Sequence, residues 1–331
     1  MLSLDQITQL HIELTTKCNA RCPMCPRNYR GMDFNSGYPK VELDLEQFRK
    51  IFKPAFLKQI KLITFNGNLG DASLARDLVP ILNYIYESSD SMVTIYTNAS
   101  THSAEWWANL AHPNCKIVFD LDGLEDTHNL YRLDTSWHKV IDNARAFINN
   151  KGWAIWQMIV FDHNRHQITK CRDMSKELGF QLFWPVDTGR NQGPVFDRRG
   201  NFTHWLGTPQ EKKPLVHELI NGHLTWFDSR PQSETHLQEK IAIDCQHKQR
   251  KELYVAADGS VYPCCFLGFY PGQMSHPGNK QLEKLVEKNN ALEYDLEECI
   301  QWFNKVEESW KLESEAQGKL YTCITSCRVK Q

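Results

Sequence analysis

Short apolar runs alternate with segments of helical periodicity along the first part of this 331-residue chain. The runs with a strand-like pattern lie at residues 10–14, 60–65, 92–96, 116–121, 154–161 and 180–184. The helical segments lie at residues 44–57, where Pro54 must kink or end the helix, and at 74–87, 104–111, 137–149 and 168–178. Strands that alternate with helices predict a parallel sheet. Six such units are too few for a closed eightfold barrel, so we predict an α/β fold, a partial (βα)6 TIM-like barrel over residues 1–190.

The pattern changes after the sixth strand. Residues 191–240 begin rich in Gly, Pro and charge, and they predict a linker or a loop over the barrel mouth. Residues 241–331 form a predicted second, smaller domain. It opens with two strand-like runs, 252–257 and 260–264, around Asp258-Gly259, which is a strong hairpin signal. Helices are predicted at 281–289 and 296–316.

Composition limits the location and the partners of the chain. The N-terminal residues show no basic region followed by an apolar one, and no run of about 18 apolar residues occurs. We therefore expect a cytoplasmic protein. The net charge of −2 gives no general attraction to nucleic acid or to an anionic membrane, so neither is expected as a partner. In such a compartment 11 cysteines indicate metal ligation or redox chemistry more than disulfides.

Three cysteines follow the first predicted strand closely. Cys18, Cys22 and Cys25 have the spacing C-x3-C-x2-C in a loop. Zinc normally takes four protein ligands, whereas three cysteines suit a [4Fe–4S] cluster with one iron left open. An open iron can bind a small chelating molecule. A zinc site that borrows a distant ligand, or chance clustering, remains the alternative.

This triplet after the first strand of a βα barrel resembles the radical S-adenosylmethionine (radical SAM) superfamily, over residues 8–190. The resemblance implies that the open iron binds S-adenosylmethionine and that one electron, from a donor such as flavodoxin or ferredoxin, cleaves it to a 5′-deoxyadenosyl radical. That radical abstracts a hydrogen atom from the substrate. We expect a peptide or a small polar metabolite, and dehydrogenation, cross-linking or epimerisation as the outcome.

Further residues at the predicted strand ends are similar to motifs of this superfamily that bind the cofactor. The segment from Phe65 to Asp71 resembles its Gly-Glu-Pro region, although Asp71-Ala72 stands where Glu-Pro is usual. Met24 stands where an aromatic residue commonly packs near adenine, and it can supply a similar polarisable contact. The cofactor-binding residues implied by the resemblance are Met24, Gly67, Gly70, Asp71, Asn98, Asp120 and Arg132.

A second cysteine set lies in the C-terminal part. Cys245-x13-Gly259-x4-Cys264 resembles the opening of SPASM and twitch domains, which carry auxiliary clusters in some radical SAM enzymes. With Cys323 and Cys327, four ligands are available for one fully ligated auxiliary [4Fe–4S] cluster, as in a twitch domain. Four thiolates also satisfy a structural zinc ion, which stays the alternative. Cys299 is a further possible ligand, while Cys115 and Cys171 are interpreted as packing residues.

Three residues are candidates for direct catalysis. Cys265 is a potential hydrogen-atom donor, with a small buried residue as the plainer interpretation. His163 and Asp122 are candidate bases at strand ends, and a structural role is the alternative for each. The alternative to an enzyme is a non-catalytic iron–sulfur or zinc protein that acts in electron transfer or in protein interaction. The order of the barrel elements argues against that alternative.

Overall fold

The computed structural model describes residues 2–28, 30–32, 40–187, 193–207, 241–269 and 277–329, together with two short strands at 219–220 and 223–224. The strands are β1 (Gln9–Ile12), β2 (Leu62–Phe65), β3 (Met92–Thr97), β4 (Cys115–Asp120), β5 (Trp153–Ile159), β6 (Leu182–Val186), β7 (Gly193–Phe196), β8 (Phe202–Leu206), β9 (Leu219–Ile220), β10 (His223–Leu224), β11 (Glu252–Val255) and β12 (Val261–Tyr262). The helices are α1 (Leu45–Ile51), α2 (Pro54–Leu57), α3 (Leu78–Ser88), α4 (Ala104–Asn109), α5 (Glu125–Tyr131), α6 (Trp137–Asn149), α7 (Ile168–Glu177), α8 (Gln246–Arg250), α9 (Pro277–Glu283), α10 (Leu296–Cys299), α11 (Phe303–Ser309) and α12 (Tyr321–Ser326).

Strands β1 to β6 lie side by side in chain order, and each neighbouring pair is parallel. The predicted six-strand partial barrel is thereby confirmed in strand number, order and direction. Two local predictions are also confirmed. Helix α6 has the predicted bounds. Pro54 is the first residue of α2, where a backbone N–H would have no partner within the helix. Parallel order brings the carboxyl ends of all six strands to one edge of the sheet, where the loops of interest lie.

The core lies between the sheet and the helices. Ile63 of β2 and Phe119 of β4 are fully buried, as are Phe48 of α1 and Trp107 of α4. Burying a side chain of this size contributes roughly 1.5–3 kcal/mol each. The sheet is therefore a rigid frame for the loops at its edge. Among the described residues, no helix is long and apolar enough to cross a membrane.

The hairpin predicted at Asp258-Gly259 is present, and it belongs to the same sheet. Strand β11 is antiparallel to β12 and, on its other side, parallel to β1. Gly259 has φ +85°, a conformation that L side chains rarely adopt. The sheet therefore has eight strands, in the order β12-β11-β1-β2-β3-β4-β5-β6. The C-terminal part is joined to the barrel through the first strand.

Residues 191–240 were predicted as a linker or a loop over the barrel mouth, and within them residues 193–206 form the antiparallel hairpin β7–β8, in which Val195 and Leu206 are buried. The bounds of the two predicted C-terminal helices were wrong. The helix predicted at 281–289 instead runs from Pro277 to Glu283. The predicted helix 296–316 is interrupted, because the chain turns between α10 and α11 and packs Trp302 edge-on against Tyr262. Much of the remaining predicted linker, residues 191–192, 208–218, 221–222 and 225–240, lies outside the described residues.

Candidate functional site

The first cysteine triplet lies in a loop that leaves the carboxyl end of β1. Cys22 is buried, and Cys18 and Cys25 are half-buried. The side chain of Asn28 donates to the Cys22 carbonyl at 3.1 Å, and the Arg21 guanidinium pairs with Asp134 at 2.5 Å. A short loop would otherwise be free to move. These bonds hold it in one shape.

The surroundings of the thiols suit a metal group. Burial raises the pKa of Cys18 above its ordinary value and that of Cys22 to about 12. The Asn98 amide lies 3.8 Å from Cys18 Sγ, and Arg132 Nη1 lies 4.0 Å from Cys22 Sγ. N–H donors directed at sulfur stabilise thiolate ligands once a metal replaces the protons. The donor set and its neighbours therefore fit a cluster with cysteine ligands.

The loop that follows β2 lies against the end of β1. A Cβ on Gly70 would lie 1.7 Å from the carbonyl oxygen of Thr15, and one on Gly67 would lie 2.5 Å from the Gly70 carbonyl. Only glycine allows such close approach of two backbones. Both glycines of the predicted cofactor-binding loop therefore have a steric reason for their positions.

Asp71 and Asn98 join the loop after β2 to the loop after β3. The Asp71 carboxylate accepts hydrogen bonds from the backbone N–H and the side-chain amide of Asn98, at 2.8 and 2.6 Å. It also accepts from the hydroxyl groups of Ser73 and Thr97. Because its oxygens are occupied in this way, Asp71 orients Asn98, whose amide points toward Cys18.

Arg132, Asp120 and Asp122 form a buried charge cluster at the end of β4. Arg132 Nε lies 2.6 Å from Asp122 Oδ2, and its Nη1 lies 3.3 Å from Asp120 Oδ2. Burial alone would lower the Arg132 pKa, but the two carboxylates outweigh it and hold the pKa above its ordinary value. Arg132 is therefore a fixed cation beside Cys22.

The imidazole of His128 packs against this charge cluster and is neutral. Nδ1 of His128 accepts the backbone N–H of Asp122 at 3.2 Å, and its Nε2 faces the Thr135 hydroxyl at 3.0 Å. Burial, together with Arg132, lowers the pKa of His128 to about 3. The Asp122 carboxylate also accepts the N–H of Ile159 at 2.6 Å. Asp122, a candidate base from the sequence, is thus placed as a support for Arg132.

Met24 and His163 lie on the side of the site that faces the hairpin β7–β8. Met24 packs against a small apolar cluster that includes Cys22 and Tyr131. The His163 ring stacks on Phe161 with centroids 5.1 Å apart, and burial lowers its pKa to about 4. Neither ring nitrogen has a hydrogen-bond partner among the described residues. A neutral imidazole with buried free nitrogens is a suitable contact for a polar ligand.

The second cysteine set comes together in the C-terminal part. The thiol of Cys327 hydrogen-bonds Cys245, which lowers the pKa of Cys245. Cys264 and Cys323 lie close enough to this pair for all four to interact electrostatically. Helix α12 carries Cys323, and Cys264 follows the hairpin β11–β12. Four cysteines that are far apart in sequence therefore lie within electrostatic range of one another.

The remaining cysteines of this part lie elsewhere. Cys265 is half-buried, its carbonyl accepts the Asn68 side chain at 2.9 Å, and burial raises its pKa to about 12. Cys299 is fully buried, with its thiol toward the Tyr294 carbonyl. Among the described residues, no three His, Cys, Asp or Glu side chains have the arrangement of ligands to a single metal ion. Which metal group each set holds stays a prediction.

Sequence reasoning missed two residues of this region, namely Glu13 and Tyr254. The Glu13 carboxylate is buried and accepts the backbone N–H groups of Leu69 and Gly70. A charged residue at the end of an otherwise apolar strand was the available signal. Tyr254 gave none, since a tyrosine in a strand is common in a core.

The barrel is similar in sequence to a known protein superfamily. Residues 12–169 match the model of the radical SAM superfamily, so this chain contains a radical SAM domain. A cysteine-type anaerobic sulfatase-maturating enzyme of Clostridium novyi (strain NT) is 22% identical over 313 residues, which are 86% of this chain and 80% of that protein.

Two solved structures have the same fold. Streptococcus suis SuiB bound to its precursor peptide SuiA matches with a TM-score of 0.57 and 15% identity, over 90% of this chain and 66% of that chain. This chain thus spans less than two thirds of the length of SuiB. Native anSMEcpe with bound AdoMet and a Cp18Cys peptide matches with a TM-score of 0.53 and 16% identity, over 97% of this chain and 88% of that chain.

Proposed function

We propose that this radical SAM enzyme modifies a peptide by abstracting a hydrogen atom from one of its residues. The observation that carries the proposal is the position of Cys18, Cys22 and Cys25 at the end of β1, with Asn98 and Arg132 directed at two of the sulfurs. When bound, a [4Fe–4S] cluster with an open iron would supply the electron that cleaves S-adenosylmethionine.

The residues of the chain orient the cofactor in this proposal. Arg132, held by two carboxylates, binds the methionine carboxylate, and the backbone of the loop 67–71 meets the amino group. Met24 packs near the adenine. Asp71 and Asp122 do not touch the cofactor, because their oxygens already accept bonds from Asn98 and Arg132. They position the two side chains that do.

A peptide is the substrate class that the relatives favour. The Clostridium novyi relative is a sulfatase-maturating enzyme, and the SuiB and anSMEcpe structures each contain a bound peptide. His163 would contact the peptide through its unpartnered nitrogens, which lie beside the hairpin β7–β8. We propose an oxidative outcome, a dehydrogenation or a cross-link, in which an auxiliary [4Fe–4S] cluster at the second cysteine set would accept the second electron of the substrate while a proton is lost to solvent.

Epimerisation is the second candidate, and Cys265 favours it. Its thiol remains protonated at neutral pH because burial raises its pKa to about 12, and its backbone contacts the loop after β2. A protonated thiol can return a hydrogen atom to a substrate radical: the S–H bond breaks and a C–H bond forms. The thiyl radical then takes one electron and one proton, supplied through a protein electron donor such as ferredoxin or flavodoxin.

Anaerobic turnover tests the proposal. The chain, reconstituted with iron and sulfide and reduced, is given S-adenosylmethionine, and 5′-deoxyadenosine is measured. Absence of this product with an intact, reduced cluster refutes radical chemistry and leaves the non-catalytic alternative.

Incubation with a peptide library in D2O separates the outcomes, since oxidation lowers the peptide mass by about two mass units and epimerisation raises it by about one. Cys265→Ala should abolish only the epimerisation product.

A further inference from the structure

A polar cluster joins the loop after β2 to the C-terminal hairpin, and we call it the bridge: Glu13, Asn68 and Tyr254. The Tyr254 hydroxyl donates to Glu13 Oε2 at 2.9 Å. It accepts from the Asn68 side-chain amide at 3.1 Å. Tyr254 is fully buried, Glu13 is 3% exposed and Asn68 is half-buried. The hydrogen bond between Tyr254 and Glu13 is therefore shielded from bulk water.

On the barrel side, the bridge determines the shape of the loop 67–71. Oε1 of Glu13 accepts the N–H of Leu69 at 2.6 Å and that of Gly70 at 2.8 Å. Gly70 lies directly on the backbone of Thr15, so the loop has no room to shift toward β1. The loop thus adopts the conformation in which two of its backbone N–H groups point at one carboxylate, and Tyr254 fixes the other oxygen of that carboxylate.

On the other side, the bridge reaches the second cysteine set. Asn68 also donates to the carbonyl of Cys265, the residue after Cys264. A Cβ on Gly268 would lie 2.3 Å from the Tyr254 ring, so the turn that follows Cys264 packs directly on that ring. Cys264 in turn interacts with Cys323 and Cys245. One tyrosine therefore contacts both the loop of the first site and the turn of the second.

Packing alone does not explain a tyrosine and a carboxylate at these positions. Burial of a polar group costs several kcal/mol unless it is hydrogen-bonded, and a phenylalanine would fill the same space. Glu13 is 3% exposed, and burial raises the pKa of its carboxyl group even though Leu69 and Gly70 donate to it. The hydrogen bonds from Tyr254 and from the two backbone N–H groups offset this desolvation and restrict the partners to one arrangement.

We propose that Tyr254 is a positioning residue that couples the two cysteine sites: an occupied second site holds the loop 67–71 in the shape that S-adenosylmethionine requires. The proposal rests on the proposed function for the identity of the ligand. Coupling between two sites is reciprocal, so S-adenosylmethionine in turn stabilises the metal group of the second site.

Tyr254→Phe tests the bridge, with Tyr262→Phe as the matched control. Tyr262 is a buried tyrosine of the same hairpin whose hydroxyl lies toward Ser260 and Asn289 instead of the loop. S-adenosylmethionine affinity is measured by equilibrium dialysis with the reconstituted chain. Loss of one buried hydrogen bond should weaken binding about 5- to 10-fold in Tyr254→Phe and leave Tyr262→Phe unchanged. The KM for the cofactor should rise while kcat at saturation is retained.

Hydrogen exchange of residues 66–71 gives a readout that is independent of the cofactor. Exchange should be faster in Tyr254→Phe than in wild type, and unchanged in Tyr262→Phe. If wild type binds S-adenosylmethionine and both variants bind it equally well, the coupling is refuted while the proposed function stands. If wild type does not bind it, the proposed function fails, and the exchange rates alone show whether the bridge orders the loop.

A double-mutant cycle tests the coupling directly. Cys323→Ala with Cys327→Ala should weaken S-adenosylmethionine binding by a similar factor, and the addition of Tyr254→Phe should weaken it no further. Additive effects would overturn the proposal. If the cysteine variant does not fold, the Tyr254→Phe titration decides alone, since equal affinity in that variant refutes the coupling.

Discussion

Arg132 Nε lies 2.6 Å from Asp122 Oδ2, and Asp122 is completely buried. The pair stands between the end of β4 and the first cysteine loop, since Arg132 also lies 4.0 Å from Cys22 Sγ. A buried ion pair is costly to break, because removal of one partner leaves the other as an uncompensated charge. The stability of the site and its charge therefore depend on the same guanidinium.

We expect Arg132→Met to lower the free energy of unfolding by about 3–5 kcal/mol, because Asp122 is then a buried charge without its partner. Urea unfolding of the chain without metal measures the change. Arg145→Met is the control, because Arg145 pairs with Asp142 on the surface of α6 and such pairs contribute at most about 0.5 kcal/mol. Equal losses in the two variants would contradict the assignment.

Cys18→Ala combined with Cys22→Ala should remove about four iron atoms per chain and all cleavage of S-adenosylmethionine, because two of three cluster ligands are lost. Iron and sulfide analysis after anaerobic reconstitution measures the first effect. Cys171→Ala is the control: this cysteine is buried in α7 and should leave the iron content unchanged. Retention of the iron in the double variant would show that the triplet is not the ligand set.

Cys323→Ala combined with Cys327→Ala should remove a second group of about four iron atoms and leave the first, because both residues belong to the C-terminal set of four thiols. Metal analysis of wild type distinguishes about eight iron atoms from about four iron atoms with one zinc. Cys299→Ala should retain all the metal, since its thiol lies toward the Tyr294 carbonyl. Loss of iron in Cys299→Ala would show that Cys299 is also a ligand and that the C-terminal set is larger than four cysteines.

Stability should fall as the pH drops below about 6.5, and His128 is one cause. Its pKa is about 3 in the folded chain and near 6.5 in the unfolded chain. Below pH 6.5 the imidazole is therefore protonated in the unfolded state but not in the folded state, and this difference stabilises the unfolded state. This group contributes a slope of up to about 1.4 kcal/mol per pH unit. Urea unfolding between pH 7.5 and 5 measures it. The slope should be smaller in His128→Asn and unchanged in His138→Asn, whose ring is exposed.

Gly70→Ala should abolish S-adenosylmethionine binding, because the added methyl group would lie 1.7 Å from the Thr15 carbonyl and must displace the loop. Equilibrium dialysis with the reconstituted chain measures binding, and iron analysis shows whether the first cluster is retained. Gly318→Ala provides the comparison: this glycine has φ +107° but lies in the C-terminal part, away from the loop. Normal binding in Gly70→Ala would mean that the loop does not contact the cofactor.

Hydrophobic periodicity and helix-boundary residues in the sequence predicted the barrel well, for physical reasons. The strands of a parallel sheet are buried on both faces, so they appear in the sequence as apolar runs. Ser136 caps α6 at its predicted start. Pro54 marked a helix boundary because it lacks an N–H. The cysteine spacings likewise pointed to two groups, because a short loop or a hairpin brings its own cysteines together.

Features that depend on tertiary contacts were missed. The Gly- and Pro-rich stretch around Gly193 was predicted as a linker or a loop over the barrel mouth, and its hairpin was not predicted, because it depends on the burial of Val195 and Leu206 against the cysteine loop. Trp302 lies in a segment with helical periodicity, but its packing on Tyr262 outweighs local propensity. The contact between Glu13 and Tyr254 joins residues 241 positions apart, and no local pattern encodes it.

The parallel pairing of β11 with β1 makes the two parts of this chain poor candidates for separate expression. Without the hairpin, β1 would present a row of unpaired backbone groups, from Gln9 to Ile12, to any other extended chain. A truncated barrel would then be prone to aggregate through that strand. The segment that carries the second thiol group thus also protects the barrel from self-association, and a graft of it onto another protein would have to supply a matching strand.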